Sequence, residues 1–152
     1  MELILWRHAE ADMSSPDMDR ALTPKGQKQA RRMADWLTSQ LPEGCRILVS
    51  PARRTLQTVE PLGRKFKICD AIAPGAGPHD LLRAVNWPNA KEPVLVVGHQ
   101  PTMGQVAALL LSGQPQSWEF KKASVWWFVQ REPDDADSLL LRAVMSPDMI
   151  VK

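Results

Sequence analysis

Pro93-Val94-Leu95-Val96-Val97-Gly98-His99 decides the fold: four consecutive branched apolar residues open at a proline and close at Gly98-His99. A short, continuous apolar run with β-branched residues predicts a strand buried on both faces, as in parallel sheets. Two more runs have the same form. Glu2-Leu3-Ile4-Leu5-Trp6 stops at Arg7-His8, and Arg46-Ile47-Leu48-Val49 stops at Ser50. Helical stretches lie between them. Thr23-Pro24 supplies an N-cap and a first-turn proline, and Ala30, Met33, Ala34 and Leu37 carry helical spacing to Leu41, before Pro42-Glu43-Gly44. Ser50 reads as the cap of a helix opening at Pro51 and running to about Glu60. Further helices are expected at Leu81–Val85 and from Pro101 to Leu111. Ala9 to Arg20, including Ser14-Ser15-Pro16-Asp17, and Pro74 to Pro78 read as loop, and Lys67–Ile72 as a weaker strand.

The tail changes character. Ser124–Val129 and Ser138–Val144 flank an acidic turn, Pro133-Asp134-Asp135-Ala136-Asp137, which predicts an antiparallel hairpin. The expected fold is therefore α/β: three layers, a mostly parallel central sheet flanked by helices, and the antiparallel C-terminal hairpin at one edge. Trp126-Trp127 would then lie on an edge strand, leaving association open.

The 152 residues suit one domain, 1–152, large enough for a core without staples. Hydrophobic residues at 44% and charged residues at 24% exclude disordered and fibrous classes. A net charge of +2, with only the interrupted Arg64-Lys65-Phe66-Lys67 run, argues against nucleic acid. No apolar run approaches the roughly 20 residues of a membrane span, and Leu3–Trp6 is too short for a signal peptide. Cys45 and Cys69 form no CxxC, so two free thiols and a cytoplasmic location are expected.

Ligands of open α/β sheets sit at the carboxyl ends of the strands. There the chain places Arg7-His8, Ser50 and Gly98-His99, with Arg54 on the first turn of the following helix. Arginine forks beside histidines suit an anion, phosphate above all, and not a metal cation. A histidine nucleophile between them suits phosphoryl transfer. Arg20 is a candidate fourth contact at the mouth, against the plain alternative of a solvated loop arginine.

Four blocks in order then carry a resemblance. Leu5-Trp6-Arg7-His8-Ala9-Glu10, Asp19-Arg20-Ala21-Leu22-Thr23-Pro24-Lys25-Gly26, Ser50-Pro51-Ala52-Arg53-Arg54-Thr55-Leu56-Gln57-Thr58 and Gly98-His99-Gln100-Pro101 resemble the signature blocks of the histidine phosphatase superfamily. Ala9 in place of the usual glycine resembles the small phosphohistidine phosphatases of the SixA type. The resemblance implies His8 as phosphoryl acceptor, with Arg7, Arg54 and His99 as its catalytic and phosphate-binding companions and no metal or other cofactor. It also implies a phosphohistidine-containing protein, a phosphorelay domain or phosphocarrier, as partner. Two alternatives stay open: a phosphomonoesterase or mutase for small metabolites, and a non-catalytic phosphohistidine-binding module.

Relatives that cleave phosphate esters carry a carboxylic acid after the arginine block. Asp80 is the candidate general acid here, with a helix N-cap as its competing role. The stretch from Thr58 to Pro93, only about 35 residues, leaves little chain for a lid, so an open crevice is expected.

Overall fold

The computed structural model describes residues 1–14 and 16–150; Ser15, within the segment read as loop, and residues 151–152 of the expected domain lie outside them. The strands are β1 (Glu2–Arg7), β2 (Arg46–Val49), β3 (Lys67–Ile68), β4 (Val94–Gly98), β5 (Val125–Gln130) and β6 (Leu139–Met145). The helices are α1 (Pro24–Gln40), α2 (Arg53–Val59), α3 (Pro78–Ala84) and α4 (Thr102–Ser112). One six-stranded sheet runs β3-β2-β4-β1-β5-β6. β4 pairs in parallel with β1 and β2, β3 is parallel to β2, and β5 and β6 join antiparallel.

Alternation along the strands builds two cores. Ile4, Trp6, Leu95 and Val97 face the layer of Met33 and Leu37 from α1. Leu3, Leu5, Val94 and Val96 face the layer of Leu81 from α3 and Met103 and Val106 from α4. All four apolar residues of β4 are fully buried, each contributing about 1.5–3 kcal/mol of apolar burial. Both faces are covered, as the unbroken apolar runs require.

Several local expectations need correction. α2 opens at Arg53 with Ala52 at the cap; Ser50 Oγ accepts from the Ala52 N–H at 3.3 Å but is no helix cap. The weak third strand shrinks to two residues, and Asp70–Ile72 is a 3-10 turn. A further 3-10 turn, Asp17–Asp19, lies inside the segment read as loop. α3 begins at Pro78, earlier than its apolar residues indicate. The tryptophans are not on the edge, because β5 is an inner strand and β6 is the edge. Trp127 is buried, donates to Glu2 Oε1 at 2.9 Å and meets Trp36 edge-on, while Trp126 stacks on Phe120 at 4.5 Å.

Between Thr58 and Pro93 the chain supplies β3, short turns and α3, and α3 packs through Leu81 and Val85 into the core beside α4. It forms a layer of the fold, not a cover. Among the described residues no helix is long and apolar enough to cross a membrane. Cys45 and Cys69 are free thiols.

Candidate active site

Parallel pairing brings the polar strand ends together. Arg7 registers with Gly98, the His8 N–H donates to Gly98 O at 3.0 Å, and the Ser50 N–H donates to Val97 O at 3.1 Å. The rings of His8 and His99 lie 5.4 Å apart between centroids. Arg54 reaches in from the first turn of α2, buried to 4% exposure, with Nη2 3.4 Å from His99 Nδ1. Arg7, His8, Arg54 and His99 thus share one crevice.

His8 Nδ1 lies 2.7 Å from Ala9 O, an acceptor only, so Nδ1 carries the proton. Nε2 then carries the lone pair, with no hydrogen-bond partner among the described residues. Burial pushes the His8 pKa down to about 4, and the charges of Arg54, Arg7 and Arg20 lower it further against the opposing hydrogen bond to Ala9. His99 Nε2 meets Ser50 Oγ at 2.7 Å. A hydroxyl both donates and accepts, so Ser50 supports either tautomer of His99. Burial, followed by His8 and Arg54, pushes His99 down to about 3. Both rings are neutral at pH 7.

These depressed values make a prediction about stability. The unfolded chain takes up protons on both histidines below about pH 6.5, whereas the folded chain resists until about 4 and 3. Stability is therefore full above pH 6.5 and falls as the pH drops toward 4, at up to about 1.4 kcal/mol per pH unit for each of the two histidines. Urea midpoints at pH 7 and pH 4.5 measure this; His8→Phe should flatten the slope, and an unchanged slope would contradict it.

The arginines carry the positive field. Arg7 Nη1 donates to Phe120 O, and the Nε atoms of Arg7 and Arg54 are buried without a partner among the described residues. Buried N–H groups are rarely left unpaired, and two at one crevice suit a ligand rich in acceptor oxygens.

The other candidates lie differently. Arg20 donates through Nε to Asp12 O at 2.6 Å and through Nη1 to Asp17 Oδ1 at 3.2 Å. It contributes charge to the crevice from the rim. Asp80 is not the N-cap expected from the sequence: Gly77 is, and Asp80, three residues on, spends both oxygens locally, Oδ2 accepting from the Gly77 N–H at 2.9 Å and Oδ1 meeting Arg83 Nη2 at 2.6 Å.

Three features have no counterpart in the sequence reading. Asp17 binds Arg54, through its carbonyl to Nη1 at 2.9 Å and through Oδ2 to Nη2 at 3.3 Å. Thr58 Oγ1 accepts from the Ala9 N–H at 3.0 Å and fixes the residue after His8; its place in the Ser50–Thr58 block was the available signal. The segment Phe120–Ser124 clamps the end of β1. Ser124 O accepts from the Arg7 N–H, Ala123 O from Trp6 Nε1 and Phe120 O from Arg7 Nη1, while the Ala123 N–H donates to His8 O. Gln100 Nε2 holds Trp118 O at 2.8 Å, and only glycine fits at position 104, where a Cβ would lie 1.7 Å from that carbonyl.

A neutral histidine beside Arg7 and a buried Arg54 is equipment suited to phosphoryl transfer. Residues 3–74 match the histidine phosphatase superfamily (branch 1). The chain belongs to that superfamily, whose members give it the character of an enzyme. It is 32% identical over 124 residues to the phosphohistidine phosphatase SixA of Escherichia coli K12, covering 75% of this chain and 76% of that one. It is 33% identical over 127 residues to the SixA homolog of Haemophilus influenzae, covering 72% and 77%. The solved structure of the protein histidine phosphatase SixA complexed with tungstate superposes at TM-score 0.77 and 28% identity, over 97% of this chain and 98% of that one. The chain is a SixA-like histidine phosphatase.

Proposed function

We propose that the chain is a metal-independent phosphohistidine phosphatase acting on a phosphorylated protein of the phosphorelay-domain or phosphocarrier kind. The observation that carries this reading is the state of His8: neutral, with Nδ1 tied to Ala9 O and Nε2 free beside Arg7 and Arg54.

His8 Nε2 attacks phosphorus in line as the substrate P–N bond breaks. Arg7, Arg54 and a donating His99, backed by Ser50, hold the three equatorial oxygens as charge shifts among them. The arginines supply the charge that a divalent cation supplies elsewhere. Water then attacks phospho-His8, releasing orthophosphate and restoring the neutral ring.

The leaving group sets the substrate class. An alkoxide needs a proton from a general acid, which is worth about 10²–10⁴-fold. Imidazole, titrating near 6.5, departs protonated without one. Asp80 is engaged with the Gly77 N–H at the start of α3 and with an exposed Arg83, which favours a structural role over that of an acid. The short stretch from Thr58 to Pro93, spent on β3, turns and α3, leaves little chain to cover the site, which suits a phosphorylated side chain on a folded surface.

The test is a substrate panel ranked by kcat/KM: phosphohistidine peptide, phosphoserine peptide, sugar phosphates and phosphoglycerates. Phosphohistidine should lead by about 10²-fold or more. Asp80→Asn should stay within about threefold of wild type on it, far from the roughly 10²-fold of a lost general acid, because the Asn amide oxygen can still accept from the Gly77 N–H. A phosphate ester at the head of the ranking, or a loss of roughly 10²-fold in Asp80→Asn, would hand the site to small metabolites and to Asp80.

A further inference from the structure

Arg54 is the most buried cation of the crevice, yet its guanidinium does not wait with free forks. Nη1 donates to Asp17 O at 2.9 Å and Nη2 donates to Asp17 Oδ2 at 3.3 Å, with His99 Nδ1 3.4 Å from the same nitrogen. A phosphoryl group that engages Nη2 meets a carboxylate oxygen already there. Two anions cannot share that N–H.

Asp17 is built to yield. Its side chain is 56% exposed, whereas that of Arg54 is 5% exposed, so the carboxylate can turn to water while the arginine cannot. It also has a second partner. Arg20 Nη1 holds the other oxygen at 3.2 Å, and Arg20 is itself fixed through Nε to Asp12 O. Hydrogen bonding to Arg20, with the charge of Arg54, keeps the Asp17 carboxyl below its ordinary range and therefore ionised at neutral pH.

Resting on the phosphatase reading, we infer that Asp17 is a resident competitor for Arg54: incoming phosphate displaces its carboxylate toward Arg20, and the carboxylate retakes Arg54 as orthophosphate departs. The competition weakens the hold on free phosphate and keeps product from lingering. A substrate must then draw affinity from contacts beyond its phosphoryl group.

Calorimetric titration with inorganic phosphate and with tungstate tests this without turnover. Asp17→Asn keeps the backbone bond to Arg54 and removes the charge; Asp17→Ala removes the side chain altogether. Both variants should bind phosphate about fivefold more tightly than wild type, the scale of one partly exposed ion pair. Unchanged or weaker binding in both would overturn the inference and leave Asp17 as a brace for Arg54, with the phosphatase reading intact. A wild-type protein that binds neither anion would overturn that reading, and the inference with it.

Discussion

His8→Ala should lower phosphohistidine turnover by about 10⁴-fold or more, because the nucleophile is the one part that no neighbour replaces. The loss should appear in kcat, with substrate still held by the arginines. Rapid quenching of wild type with labelled substrate should trap phosphate on His8 that is stable to base and labile to acid, as a P–N bond requires. The His8→Ala protein should carry no such label. Label that survives acid, or persists in the variant, would place the intermediate elsewhere. His8 is 8% exposed, and its neighbours Trp6 and Ala9 are fully buried, so the smaller side chain should leave the fold in place.

Arg54→Met carries the second large effect. The arginine is buried, and its charge faces the crevice with an unpartnered Nε. Removing one preorganised donor to a developing oxyanion costs about 10²–10³-fold in kcat. Stability should move the other way. A buried cation carries a desolvation penalty that a thioether of similar length does not, so the melting temperature should hold or rise. Arg54→Lys should not rescue activity, since a point charge cannot reproduce the fork. A loss below tenfold in Arg54→Met would remove Arg54 from the proposed machinery.

The strands that carry this chemistry were readable because each is a short apolar run ending abruptly in polar residues. Strand periodicity and the three-layer architecture follow from local composition, and the four motif blocks name Arg7, His8, Arg54 and His99 individually. The clamp over Trp6, Arg7 and His8 left no such trace. It works through the carbonyls of Phe120, Ala123 and Ser124 and the Ala123 N–H. Every residue type presents such groups, so composition says nothing of them. The tryptophan pair misled for a related reason. A hairpin reveals its own pairing in sequence, but not which of its two strands a distant strand will join. Asp17 was hidden in a polar segment, where an acid that meets a buried arginine looks like any solvated aspartate.

β1 has its two partners far away in the chain. Trp6 pairs with Val97 on one side and Val125 on the other, and its indole bonds Ala123, 117 positions on. The strand that leads into His8, the proposed nucleophile, therefore lies in the middle of the sheet and has no local neighbour on which to form. Such non-local closure slows folding, because the chain orders long loops before it gains the contacts that reward them. A collapsed chain with its helices formed but β4 and β5 undocked holds no positioned His8. On the proposed function, catalytic competence should therefore arrive only with closure of the sheet, and partly folded forms should show no turnover.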